Sequence, residues 1–209
     1  MNRPAEFVLV AGPNGSGKST VADIYIQARF PEWPKLNADR VALSLAEEDA
    51  EARGSVKLAL QAARLVDTEA SCLVELREPF VLETVLSSDK YCPLVPAARR
   101  AGLIFRLVYI TTADPEVNVD RVRVRVLRGG HDVPVDKIHE RWHRSMDTYL
   151  PWFAARADRL VVIDNSGEAP KAVALRHLGG VLELHDDTHP ASARLRPLVG
   201  MPALPPDAA

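Results

Sequence analysis

Cysteine is almost absent. The two present, Cys72 and Cys92, lie twenty positions apart with neither metal-ligand nor redox spacing. They read as reduced thiols of a cytoplasmic protein rather than as a disulfide framework. Net charge is equally sparse, at −2 for 209 residues. That argues against a nucleic-acid partner, since phosphate backbones are met by a strongly positive face. No apolar run approaches the ~20 residues that span a bilayer, so no membrane partner is expected. The apolar run near the N-terminus is too short, and too close to Glu6, for a signal peptide. No internal repeat at solenoid spacing is visible. What remains is a globular composition, 47% hydrophobic and 26% charged, with length enough for one well-packed domain.

The informative stretch is Gly12-Pro13-Asn14-Gly15-Ser16-Gly17-Lys18-Ser19-Thr20, which fits the spacing G-x-x-x-x-G-K-[ST]. Phe7 to Ala11 before it reads as a buried parallel strand, and Ser19 to Ala28 after it as a helix. Strand, glycine loop and helix together make a nest of inward-facing backbone N–H groups at a helix N-terminus, where a triphosphate fits. Lys18 is expected to reach the β- and γ-phosphates of ATP, and the Ser19 hydroxyl to be an oxygen ligand of Mg²⁺.

Downstream, Phe30 to Pro34 is a proline-punctuated loop, and Asn37-Ala38-Asp39 follows it. Asp39 has two readings, a general base for an acceptor hydroxyl and the N-cap of a helix over 40–47. Gly54 to Leu76 reads as one or two helices, and Phe80 to Leu86 as a second strand broken by Glu83. A carboxylate at that end of a strand lies where open α/β sheets bind ligands, so Glu83 holds substrate or a magnesium water, or else marks emergence into solvent. Tyr91 to Gly102 is expected to be helical, and Leu103 to Ile110 a third strand. This alternation calls for an α/β fold, a mostly parallel central sheet with helices on both faces.

Val117 to Leu127 alternates like a strand, yet Asp114-Pro115-Glu116 starts a helix well and Gly129-Gly130 stops one. As a helix it puts Arg121, Arg125 and Arg128 on one face, either a solvated stripe or a phosphate clamp. A lid over about 128–141 would follow, with a long second helix from Val135 to Ala155. Within that helix His139-Glu140-Arg141-Trp142-His143 matches the zinc-protease pattern H-E-x-x-H, but Arg141 and Arg144 crowd a cation site. Leu160 to Asp164 is a fourth strand whose terminal Asp resembles a Walker B carboxylate in the magnesium's outer shell, or which equally flanks the adenine; Val173 to Leu178 reads as a helix, and Val181 to His185 as an edge strand. The core domain is set at 1–196. Residues 197–209 form a Pro- and Ala-rich tail expected to be irregular or disordered.

Five segments together resemble the zeta toxin family of P-loop kinases, in particular its short chromosomal members. They are Gly12 to Thr20, Asn37 to Asp39, Glu83-Thr84-Val85-Leu86-Ser87-Ser88, Arg128-Gly129-Gly130-His131-Asp132-Val133-Pro134 with Arg141, and Asp164-Asn165-Ser166. The resemblance implies a P-loop NTPase fold with a helical lid, and an ATP-dependent kinase acting on the 3'-hydroxyl of the amino sugar in UDP-N-acetylglucosamine. It implies Asp39 as base, Lys18 as phosphate lysine, Arg128 and Arg141 as the pair stabilising the transferring phosphoryl group, and Asn37, Glu83 and Thr84 as substrate contacts. An antitoxin protein stays open as a partner. Val85 departs from the substrate-facing Thr common in relatives. Competing readings are a regulatory ATPase switch, a nucleoside or nucleotide kinase, and a zinc hydrolase.

Overall fold

The computed structural model describes residues 4–48 and 55–208. Seven strands form one sheet in the order β2-β3-β1-β4-β5-β6-β7. They are β1 Glu6–Ala11, β2 Lys35–Leu36, β3 Phe80–Thr84, β4 Ile104–Thr111, β5 Arg159–Asp164, β6 Lys171–Arg176 and β7 Glu183–Leu184. The first five run parallel, and β6 and β7 close the edge antiparallel. This is the mostly parallel, helix-flanked sheet of the P-loop NTPase-like fold, as the alternation of elements demands. None of the described helices is long and apolar enough to cross a membrane.

Strand periodicity sends alternate residues of β1 to opposite faces. Phe7, Leu9 and Ala11 enter the larger core, with α3 (Val56–Leu76), α4 (Leu94–Arg100) and α7 (Leu150–Arg156). Val8 and Val10 pack instead against Ile26 and Phe30, at the end of α1 (Lys18–Arg29). Phe7 stacks on its register partners Phe80 and Phe105, with ring centroids 4.7 and 5.3 Å apart. This aromatic row pins three adjacent strands, β3, β1 and β4, and so the point where the chain leaves β1 for the glycine loop.

Several expectations are corrected. Val173 to Leu178 is not a helix, because Lys171–Arg176 pairs antiparallel with β5 and buries Val173 and Ala174 in the sheet. The long helix from Val135 is interrupted: α6 (Val135–His143) passes through a π-helical turn, Arg144–Tyr149, into α7. Pro151 explains the break, since it has no N–H and its ring would crowd the carbonyl of Asp147 in a regular helix. Val117 to Leu127 resolves as helix, α5 (Pro115–Leu127), with the Asp114 side chain capping Glu116 N. Residues 56–76 form a single helix, whereas Gly54 lies outside the described residues. The tail is irregular but docked. Leu204 N donates to Ala155 O at 2.8 Å, the Arg99 guanidinium donates to Leu204 O, and Arg156 donates to Ala208 O.

Phe7→Ala is expected to cost about 3–5 kcal/mol, because it removes the middle ring of the row and leaves a cavity between packed strands. Urea denaturation monitored by circular dichroism measures it, and a loss under about 1 kcal/mol would mean that the row carries little of the sheet's stability.

Candidate functional site

The loop between β1 and α1 is held open for a ligand by its backbone. Gly12 has φ +145°, and a Cβ there would sit 1.9 Å from the Ile110 carbonyl oxygen; at Gly17, with φ +85°, it would sit 2.3 Å from Asn165 Nδ2. Neither position accepts a side chain without displacing backbone or loop contacts. Gly17 is also the N-cap of α1 and offers no side-chain acceptor, so the first N–H groups of that helix have no side-chain cap. Such groups with the helix dipole make an anion site. The loop is braced from outside: Asn165 Nδ2 donates to Ser16 O at 2.8 Å, Asn118 Nδ2 to Asn14 O at 2.6 Å, and Arg141 Nη1 to Asn14 Oδ1 at 3.1 Å.

Lys18 folds over its own loop and donates to Pro13 O at 2.9 Å. Burial pushes its ammonium down to about 8, against the opposing pull of Glu83 and Asp39, while Arg125 adds to the depression. Ser19 Oγ donates to Glu83 Oε1 at 3.0 Å, and Asn37 Nδ2 donates to Glu83 Oε2 at 2.7 Å. Both carboxylate oxygens are thus aimed at the loop and the start of α2 (Ala38–Glu48). The helix cap belongs to Asn37, not to Asp39: Asn37 Oδ1 accepts from Asp39 N at 2.8 Å and Arg40 N at 3.1 Å. Asp39 therefore sits in the first turn of α2, and its carboxylate has no hydrogen bond or ion pair among the described residues.

A cavity of about 930 Å³ joins these groups. Asn14, Gly15, Gly17, Lys18, Ser19 and Thr20 line it from the loop, Asn37 and Asp39 from α2, and Glu83 and Thr84 from the end of β3. Arg121, Arg125 and Arg141 also line it, and Arg121 Nη1 is buried without a hydrogen-bond partner among the described residues. Thr84 Oγ1 also accepts from Leu86 N, shaping the turn after β3. Of the expected residues, Gly12, Pro13 and Ser16 support the loop without lining the cavity. Arg128 does not line it either: it is the exposed C-cap of α5, one turn beyond Arg125. Arg125 Nη2 instead ties the glycine-rich segment down through His131 O at 3.0 Å.

Asp164 is likewise away from the cavity. Its Oδ1 accepts from Ser166 N at 2.9 Å, which makes it a turn former, while the carboxylate beside Ser19 is Glu83. His139 pairs with Glu116 at 2.9 Å and His143 with Asp147 at 3.3 Å, so the H-E-x-x-H histidines face different carboxylates. Among the described residues no group of three or more His, Cys, Asp and Glu side chains is placed to hold a metal. Two contributors carried no distinct sequence signal, Lys90 and Tyr91, which also line the cavity. Asn118 had one, a fully buried amide on the valine face of α5.

A family model described as AAA domain, AAA_33, matches residues 7–151. No curated protein matches the chain in sequence. Among solved structures, a chain of the AvrRxo1-ORF1:AvrRxo1-ORF2 complex with sulphate ions superposes with TM-score 0.70 at 17% identity, covering 99% of this chain and 65% of that one. The same complex with ATP gives 0.69, also at 17% identity and with the same coverage. This chain therefore spans slightly less than two thirds of the length of those chains. A chain from the PezAT chromosomal toxin-antitoxin system of Streptococcus pneumoniae gives 0.56 at 19% identity, covering 79% of this chain and 69% of that one. At these identities the likeness is one of fold, and it is the P-loop NTPase-like fold.

The buried ammonium makes stability depend on pH. Because the folded pKa of Lys18 lies below its ordinary 10.5, the unfolded chain binds more protons between about pH 8 and 10.5. Stability conferred by the wild-type side chain should therefore rise across that window relative to Lys18→Met, which has no proton to lose. Denaturant unfolding of both proteins from pH 7.5 to 10.5 checks the sign, and a flat difference would contradict it.

Proposed function

Because the chain belongs to the AAA domain family AAA_33 and has a P-loop NTPase-like fold, we propose that it is a kinase, transferring the γ-phosphoryl group of MgATP to a hydroxyl of a small metabolite. The observation that carries this reading is one cavity lined by both a phosphate loop and the carboxylate of Asp39, which has no hydrogen bond or ion pair among the described residues. A regulatory ATPase needs the loop but has no use for a second carboxylate facing an acceptor.

The residues suit the nucleotide. The uncapped start of α1, the Lys18 ammonium and the unpaired Arg121 Nη1 all lack an anion that a triphosphate provides. Mg²⁺ would be held by the Ser19 hydroxyl with Glu83 beside it, hard oxygen donors of the kind it prefers, and would neutralise charge on the phosphates. Lys18 exchanges its bond to Pro13 O for phosphate oxygen. Arg121, Arg125 and Arg141 converge on the same wall and stabilise charge spreading over the transferred group, so Arg125 takes the part the family resemblance gave to Arg128. Asp39 accepts the proton of the attacking hydroxyl. Asn37, engaged at both ends, positions Glu83 and the first turn of α2.

The acceptor lies toward Thr84, Lys90 and Tyr91, and the zeta toxin resemblance favours a nucleotide sugar such as UDP-N-acetylglucosamine. The AvrRxo1 and PezAT structures are named as two-component assemblies, which supports an antitoxin protein as a partner. Lys18→Ala should abolish transfer. Asp39→Asn should leave MgATP affinity within about twofold while turnover falls about 10²–10⁴-fold. Labelled ATP with a panel of nucleotide sugars and nucleosides, read by product mass, supplies the activity, and titration calorimetry the affinity. Unchanged turnover in Asp39→Asn removes that residue as base, and release of phosphate with no phosphorylated product removes the kinase reading.

A further inference from the structure

A second basic cavity lies at the opposite edge of the sheet. Its volume is about 240 Å³, and Tyr25, Arg29, Arg106, Arg159, Arg176 and His177 contribute to its wall. Arg106 is near the start of β4, Arg159 begins β5 and Arg176 ends the antiparallel β6, so the topology brings all three to the N-terminal side of the parallel strands. The glycine loop leaves the C-terminal side. From Arg106 to Thr111 the strand rises roughly 17 Å, so the two cavities are separate sites.

Among the described residues, the carboxylates facing Arg106, Arg159 and Arg176 are fewer than the arginines that share them. Glu6 is the carboxylate beside Arg106 and Arg159, and both its oxygens are taken by Arg106, at 2.6 and 3.1 Å. Arg159 Nε makes only a long ion pair with Glu6 Oε1, at 3.6 Å, beyond hydrogen-bond range. Asp158, the acid near Arg176, is engaged by Arg99 at 2.7 Å and by Phe105 N at 2.8 Å. The Nε atoms of both Arg159 and Arg176 are buried with no hydrogen-bond partner among the described residues. Arginines kept only for packing would have those N–H groups satisfied, because a buried donor on a charged group is costly to leave bare. Arg176 does spend its Nη atoms on the carbonyls of Ala154, Ala157 and Met201, which fixes the guanidinium in place.

We propose that this cavity is a second oxyanion site, which takes inorganic phosphate or the phosphate of a small phosphomonoester. Volume decides against a larger ligand, since drug-sized ligands occupy about 300–1,000 Å³. Guanidinium forks decide for a tetrahedral oxyanion over a simple halide. The C-terminal end of α1 lies alongside, and its partial negative charge works against an anion, so binding depends on the arginines. That helix begins at Lys18 and carries Tyr25 and Arg29, so occupancy of this cavity bears on the same rigid element that opens the phosphate loop.

Calorimetric titration with inorganic phosphate, at ionic strength held constant with chloride, tests the site independently of any kinase activity. Lys18→Ala silences the lysine of the loop, and in that background one phosphate should still bind. Adding Arg159→Gln should weaken it at least tenfold. Absence of phosphate binding in Lys18→Ala, or superimposable isotherms with and without Arg159→Gln, overturns the proposal. If thermal melts show the double variant to be unfolded, Arg29→Gln at the exposed end of α1 replaces it under the same criterion. Phenyl phosphate forms the second arm: competition with phosphate supports a phosphomonoester, and phosphate binding without competition supports the free ion.

Discussion

Glu83 is held from two sides, and the geometry of the main cavity follows from that. One oxygen accepts from Ser19 at the start of α1 and the other from Asn37 at the start of α2. The carboxylate stands at the end of β3, next to the strand that feeds the glycine loop. Three elements distant in sequence are therefore set relative to one another by one side chain. Asn37 extends the arrangement, because its other end caps α2 and so fixes where Asp39 points. A charge-assisted hydrogen bond is about twice as strong as a neutral one, which suits a group asked to hold loop, strand and helix together.

The opposite wall is organised by polar groups that face inward from an apolar context. Asn118, on the valine face of α5, contacts the loop through Asn14 O, and Thr112 and Trp142 continue the chain of hydrogen bonds towards α6. Ser145 in the π-helical turn bonds Tyr109 at 2.9 Å and donates to Val85 O at 3.1 Å, tying the helices on either side of that turn to the ends of β3 and β4. A π-turn re-aims side chains by inserting a residue, and here it lets a helix broken by Pro151 still reach the turn after β3. Its burial leaves the Tyr109 hydroxyl neutral, with a pKa pushed well above the ordinary value.

How far the sequence could be read depended on range. Loop, first helix and four of the five parallel strands are local patterns, and they appear within a residue or two of where periodicity and glycine place them, whereas the two-residue β2 is too short to leave a period and was not anticipated. β6 was misread because six residues rich in Ala and Val fit helix or strand alike, and only pairing with β5 decides between them. Arg125 replaced Arg128 on the cavity wall for a similar reason: helical spacing puts both near one face, but the helix ends between them. The cap on α2 fell to Asn37 since a side-chain amide can accept from α2 and donate to Glu83 at once, and a carboxylate cannot donate.

By itself the chain of residues determined that a strand must deliver a glycine loop into a helix start, because backbone conformation at Gly12 and Gly17 and a missing helix cap are matters of a few neighbouring atoms. It also determined the alternating order of elements, hence a parallel sheet. Tertiary structure alone decided which charges meet. Glu83 reaches Ser19 across 64 positions, Arg141 reaches Asn14 across 127, and Arg106 reaches Glu6 across 100. Such encounters depend on strand order and crossing helices, and no local pattern encodes a distance between residues that only packing brings together.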